Sequence, residues 1–254
     1  MSEKRKKVTK NESGKVLEAM KHIPSLDRWC VEFGAQDGIT RSNTRPLILN
    51  HDYSSVQIEI NKDYYSELEE LYRDNDKIYT FNKSVGFKKS DGLDSILSDT
   101  PVPLDFDFLS IDVDGNDYHI WKAINKYRPK IVCIEYNPTI PNEIYFVQEP
   151  NESINHGNSP RAIVELAKEK NYELVSVSRD NLFFVDDKYF DNFGIKDNSL
   201  GKLRTSLHHV TWIFSGYDGH IFIRGYGQIP KGGFLIEEKN MQVLKPEQQK
   251  YPRN

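Results

Sequence analysis

Acidic side chains fall where the apolar runs of this chain stop. Glu32 stands near the end of Trp29-Cys30-Val31-Glu32-Phe33, and Glu59 near the end of Ser55-Val56-Gln57-Ile58-Glu59-Ile60. Asp112 and Asp114 follow Phe106–Ile111, and Glu135 and Asn137 follow Lys130–Ile134. In a parallel α/β sheet, ligands bind outside the carboxyl ends of the strands, so these oxygens would share one edge. Residues two apart in an extended strand share a face, which pairs Asp112 with Asp114 and Glu135 with Asn137. Two such pairs on neighbouring strands suit a hard divalent ion such as Mg²⁺. Asp114-Gly115-Asn116-Asp117 is equally a sequence that shapes a turn and caps the next helix. Glu59 follows the Gly34-to-Gly38 turn by about 20 residues, where an acidic side chain can accept hydrogen bonds from ribose hydroxyls.

The elements needed to position these groups can be read in order. Asn11–His22 has helical spacing in Val16, Leu17 and Met20 and ends before Pro24. Strands are expected at Trp29–Phe33, Ser55–Ile60, Lys77–Val85, Phe106–Ile111 and Lys130–Ile134. Helices are expected between them at Thr40–Leu49, Asp63–Arg73, Leu93–Leu97 and Tyr118–Tyr127, with Pro46 complicating the first. Ser159-Pro160-Arg161 opens a further helix, Ser159 as N-cap and Pro160 at its first position. Tyr172–Ser178 and Asn181–Val185 read as a closing pair of strands. Strands alternating with helices give a mostly parallel sheet covered on both faces, to which a final antiparallel hairpin is a common addition. Residues 187–254 carry strands at Val210–Phe214 and His220–Arg224 and a polar tail. They are read as a β-rich appendage of a single domain whose core is 29–186.

Composition narrows the class. Hydrophobic residues make up 37% and charged residues 28%, which is polar but not disordered in character. A formal net charge of -4 gives no electrostatic case for nucleic acid or an anionic membrane as the main partner. No run approaches the roughly 20 apolar residues of a membrane span, and the charged N-terminus lacks the apolar segment of a signal peptide. Cys30 and Cys133, both in strand-like runs, are read as reduced core thiols of a cytoplasmic protein.

Taken together in order and spacing, Glu32-Phe33-Gly34-Ala35-Gln36-Asp37-Gly38, Glu59, the run Phe108 to Gly115, and Ile134-Glu135-Tyr136-Asn137 resemble the FkbM-type family of S-adenosylmethionine-dependent methyltransferases. The resemblance spans about Trp29 to Asp186. It implies a Rossmann-like class I methyltransferase sheet of seven strands and O-methylation of a sugar hydroxyl, on a nucleotide-linked sugar or a surface polysaccharide or glycan precursor. It also implies that Glu32, Gly34, Ala35, Gln36, Asp37 and Gly38 line the methionine and ribose part of S-adenosylmethionine. Glu59 would then hold the ribose diol, Ser84 would lie near the adenine, and Asp112 would face the methionine end and the acceptor. Gln36 stands where many methyltransferases have a second glycine, and Asp114 where the family often has Glu. Some related sugar O-methyltransferases hold a divalent ion with acidic residues after strands four and five, which Asp112 and Glu135 match and Asn137 matches loosely.

Methyl transfer requires the acceptor to lose a proton, and a base near neutral pKa assists it. His156, in the polar 151–158 loop after strand five, is the first candidate. His119, one turn into the helix after Asp112, is the second. Tyr64, Tyr136, Tyr145 and Phe146 are candidates for stacking on sugar or adenine, or for core and lid packing. Two other readings are a nicotinamide-dependent sugar dehydrogenase and a non-catalytic binding module on the same fold. The turn Gly34-Ala35-Gln36-Asp37-Gly38 does not match G-x-G-x-x-G, which counts against the first. The carboxylates at successive strand ends count against the second. A homo-oligomer stays open.

Overall fold

A computed structural model describes residues 14–225, 228–229, 234–235 and 237–249. Residues 14–20 form helix α1, so the first part of the helix expected from Asn11 lies outside the described residues. In chain order there follow β1 (Trp29–Phe33), α2 (Arg45–His51), β2 (Ser54–Ile58), α3 (Lys62–Tyr72) and β3 (Ile78–Phe81). Next come α4 (Leu93–Leu97), β4 (Phe108–Ile111), α5 (Asp117–Ala123) and β5 (Ile131–Glu135). The core closes with α6 (Pro160–Glu169), β6 (Tyr172–Val177) and β7 (Asn181–Asp186). The sheet has seven strands in the order β3-β2-β1-β4-β5-β7-β6. β1 to β5 run parallel, and β7 lies antiparallel to both β5 and β6.

Each face is covered by helices, because alternate residues of the buried strands point to opposite sides. Val31, Phe33, Leu109 and Ile111 pack with residues of α4, α5 and α6. Cys30, Phe108, Ile131 and Cys133 pack with residues of α1, α2 and α3. Both cysteines are free and buried. They sit on β1 and β5 with β4 between them and a two-residue offset along the strands, more than about two strand spacings apart and too far for a disulfide.

Several boundaries differ from the sequence expectation for local reasons. Pro46 lies at the start of α2 rather than in its middle, where its fixed φ costs nothing. α5 stops at Ala123 because Ile124 is extended, and the Asp94 carboxylate then takes the amides of Asn125, Lys126 and Tyr127. β3 ends at Phe81, so 82–87 are loop and reach the sheet edge. Beyond Asp186 the chain forms a 3₁₀ segment (Asp187–Phe193), helix α7 (Leu200–Leu203) and an antiparallel pair, β8 (Thr211–Ser215) and β9 (Ile221–Gly225). A shorter pair, β10 (Gln228–Ile229) and β11 (Phe234–Leu235), follows. No described helix is long and apolar enough to cross a membrane.

The amino edge of the sheet is held by charge. Lys130 and Asp107, both buried, meet at 2.8 Å, and the Lys130 ammonium also reaches Asp27 at 2.5 Å. Asp107 accepts the amides of Asp27 and Arg28 as well, which fixes the entry to β1 against β4. Removing one partner of such a pair strands the other charge without water. Lys130→Met should therefore lower the unfolding free energy by about 3–5 kcal/mol in urea denaturation, whereas a loss below about 1 kcal/mol would mean that Asp107 is compensated elsewhere.

Candidate active site

The strand order reverses between β1 and β4, and the crevice outside that point is where open α/β sheets bind ligands. A cavity of about 380 Å³ lies there, within the range of small-molecule sites. The end of β1 and the turn after it contribute Phe33, Gly34 and Gln36, and the end of β2 and the residues after it contribute Ile58, Glu59 and Ile60. Lys83 to Phe87 follow β3, and Asp112 to Asp114 follow β4.

The turn after β1 is fixed on both sides. Ala35 donates its amide to the Ile58 carbonyl at 3.1 Å, and Gln36 donates its own to Glu59 Oε2 at 2.8 Å. The other oxygen of Glu59 accepts from the Asn61 amide at 2.7 Å. The Glu59 carboxylate, 5% exposed, thus stitches the β1 turn to the β2 end while lining the cavity. Each oxygen keeps further lone-pair capacity for a ligand hydroxyl. On the other side Gly34, at φ +73°, lies so close to β4 that a Cβ would collide with the Asp112 carbonyl oxygen. Gln36 takes a left-handed φ of 49°, the strain that a glycine there would avoid.

Other members of the turn sit elsewhere. Glu32 does not line the cavity: it is buried behind the turn, accepting from Ser42 Oγ at 2.6 Å, the Asn43 amide at 2.7 Å and the Thr44 hydroxyl. Burial pushes its carboxyl above the usual range, against the pull of those hydrogen bonds. Asn43 in turn donates to Ser110, and Gln57 to Thr44 and Ser55, which makes a polar layer beneath the site. Ala35 is buried, and Asp37 turns inward to accept from Ile39 N, Thr40 N and Thr40 Oγ1. Partial burial works to raise the Asp37 pKa, but the hydrogen bonds from Thr40 and Ile39 outweigh it and hold the group below its ordinary value. Gly38, at φ +70°, packs on Leu68, Leu71 and Tyr72 of α3. For these residues the physical reason is the same: the turn needs internal anchors before it can present an edge to a ligand.

At the other end, carboxylate oxygens of Asp112, Asp114 and Glu135 lie within 4.8 Å of one another. Asn137, grouped with them from sequence, stands apart. Its Oδ1 accepts from Thr139 N at 2.9 Å and Thr139 Oγ1 at 2.6 Å, and its Nδ2 donates to the His156 carbonyl. Asp114, in a left-handed conformation, takes the third position instead. Buried Asp117 shapes that turn by accepting the amides of Val113 and Gly115, so the turn-forming reading of 114–117 and the clustering of carboxylates coexist.

Neither candidate histidine lines the cavity. His119 Nε2 lies 2.8 Å from the Gln148 carbonyl. A carbonyl only accepts, so this nitrogen carries hydrogen and the ring braces the 148–158 loop. His156 is exposed on that loop, where its backbone amide bonds to Gln148 Oε1. Gln148 and Asn158, both buried, lash the loop down: Gln148 reaches Asn116 Oδ1, Ile154 O and Gly157 N, and Asn158 donates to the Gly115 carbonyl. Their effect is to bring Glu152 to the cavity. Ser84 and Tyr64 also line it, whereas Tyr136 is buried under Arg204 at 5.0 Å.

Sequence reasoning did not single out Glu152, Gln148 or Arg204. Arg204 lies beyond the core, yet donates to Pro138 O, Ile140 O and Asn142 Oδ1 and so shapes the loop after β5. Its only sequence signal is a cation in a segment without periodicity.

In structure the chain is similar to the CurJ carbon methyltransferase, at 9% identity over 70% of this chain and 54% of that one, TM-score 0.46. It therefore spans about half the length of that protein. It is also similar to the N-terminal domain of EvdMO1 in the presence of SAH and D-fucose, at 9% identity over 69% and 82%, TM-score 0.45. A third is a SAM-dependent methyltransferase from Aquifex aeolicus, at 12% identity over 71% and 95%, TM-score 0.41. No protein-family model matches the chain, and no curated protein matches it in sequence. The order β3-β2-β1-β4-β5-β7-β6 with β7 antiparallel gives it the class I methyltransferase fold.

Gly34→Ala should destabilise the protein by about 2–4 kcal/mol, through the left-handed φ and the collision with Asp112, as read from urea denaturation. A neutral outcome would mean that β1 and β4 do not abut as described.

Proposed function

We propose that this chain is an S-adenosylmethionine-dependent O-methyltransferase acting on a sugar hydroxyl. The observation that carries this reading is the charge of the cavity. Among the described residues lining it, Glu59, Asp112, Asp114 and Glu152 face one cation, Lys83. S-adenosylmethionine is a net cation, and such a lining attracts it. A nicotinamide dinucleotide would place two phosphates against the same carboxylates, which opposes the dehydrogenase reading.

In this reading Glu59 holds the ribose diol at one end and Ser84 lies beside the adenine. Gly34 and Gln36 line the path to Asp112, where the methionine end lies. The bound cofactor supplies an electrophilic methyl group. The chain positions the acceptor oxygen in line with it, which contributes much of the rate. Carboxylates only accept hydrogen bonds when ionised, so Asp112, Asp114 and Glu152 suit the hydroxyl donors of a sugar. That the acceptor is a sugar rests on the resemblance in the strand-end motifs.

The donor set of Asp112, Asp114 and Glu135 is all oxygen, anionic and convergent, and it fits a hard divalent ion such as Mg²⁺. Bound there, such an ion would lower the pKa of the acceptor hydroxyl. Without one, we assign proton removal to Asp112, which lines the cavity, whereas His119 serves as a brace and His156 faces solvent.

Three measurements check this. Incubation with S-adenosylmethionine and a panel of sugar nucleotides, read by mass spectrometry, should yield one singly methylated product. Methylation confined to amines or carbon acids would contradict the O-methyl reading. Glu59→Ala should raise the S-adenosylmethionine dissociation constant roughly 10- to 100-fold, the loss of one or two charged hydrogen bonds, with Glu59→Gln in between. An unchanged constant would misplace the ribose. Excess EDTA should abolish turnover, and Mg²⁺ should restore it; undiminished activity would rule out a required ion.

A further inference from the structure

The β8–β9 hairpin leaves one edge open. Gly216 donates its amide to the His220 carbonyl, which makes 216 and 220 a hydrogen-bonded pair and fixes the alternation along the ladder. Trp212 and Phe214 therefore bond inward to β9, while Thr211, Ile213 and Ser215 turn their main-chain groups outward. The corresponding outer edge of β9 is plugged by the chain itself. Gln242 takes both the amide and the carbonyl of Ile221, and Glu238 takes the Ile223 amide. On β8 the Thr211 amide bonds to the Thr139 carbonyl. Among the described residues, the outward groups of Ile213 and Ser215 have no such plug.

That edge has none of the features that normally block strand pairing. Thr211-Trp212-Ile213-Phe214-Ser215 contains no charge and no proline. Trp212, Ile213 and Phe214 are 45%, 44% and 50% exposed, and Tyr217 is 95% exposed. A lone two-stranded ribbon is also marginal in water.

We infer that β8 pairs antiparallel with β8 of a second copy of this chain, making a four-stranded sheet β9-β8-β8-β9 across a two-fold axis. The segment is complementary to itself in one register, centred on Phe214. Ile213 of each copy then faces Ser215 of the other, and four main-chain hydrogen bonds form from the unplugged groups alone. Thr211, already bonded to Thr139, is not needed. The two Phe214 rings face each other across the axis and extend the stack that Phe214 makes with Phe222 at 5.5 Å. Trp212 falls opposite Gly216, which has no side chain to obstruct it. The strand is uncharged, and Arg224, opposite Trp212 on β9, is paired with Glu238 at 2.7 Å, so the pairing strands themselves bring no like charges face to face.

Sedimentation velocity on the full chain tests this. The wild type should run as a dimer at micromolar concentration; a monomer throughout overturns the inference. Ile213→Pro removes only an outward amide, so it should spare the hairpin and the thermal transition while raising the dimer dissociation constant roughly 10- to 100-fold. Phe214→Lys and Phe214→Glu should each be monomeric alone and should form a heterodimer when mixed, a rescue that local unfolding would not give. A dimer that persists in Ile213→Pro, or charge variants that stay monomeric when mixed, places the interface elsewhere.

Discussion

The site depends on how closely β1 and β4 leave the sheet together. At the point where strand order reverses, the Gly34 backbone lies against the Asp112 carbonyl with no room for a side chain. This contact puts the β1 turn and the β4 carboxylates on one wall. Glu59 then joins that wall to β2 through the Gln36 amide. The shape of this wall is thus set mostly by backbone: a glycine that permits contact, and a carboxylate that accepts amides.

The polar layer beneath has a different role. Glu32, Ser42, Asn43, Thr44 and Gln57 are all buried. They hold the 42–44 segment under the turn through hydrogen bonds that a dry site makes costly to lose. A carboxylate at a strand end can therefore line the cavity, as Glu59 and Asp112 do, or anchor the loop beside it, as Glu32 does. Sequence position does not separate the two. Their partners do: Glu32 is engaged by Ser42, Asn43 and Thr44, whereas Glu59 and Asp112 line the cavity.

The parallel core was legible in the sequence because β4 and β5 are nearly continuous apolar runs, β2 alternates apolar and polar residues, and helices such as α3 carry a 3.6-residue period. The glycine turn, Glu59 and Asp112 were legible because they sit at fixed offsets from those runs. Gln148, Asn158, Glu152 and Arg204 were not. They act across loops, through contacts between residues far apart in the chain, and nothing in local spacing marks them. The same limit explains the histidines. His119 and His156 lie close in sequence to the expected cleft, but the Gln148 carbonyl engages one and solvent the other.

The central claim is that a cavity lined by carboxylates at this switch point takes a sulfonium cofactor rather than an anionic dinucleotide. Calorimetric titration of the wild-type protein is the most direct measurement of it. The account predicts one-to-one binding of S-adenosylmethionine and S-adenosylhomocysteine and no detectable heat with NAD. Saturable binding of NAD, with neither adenosyl compound bound, would contradict it.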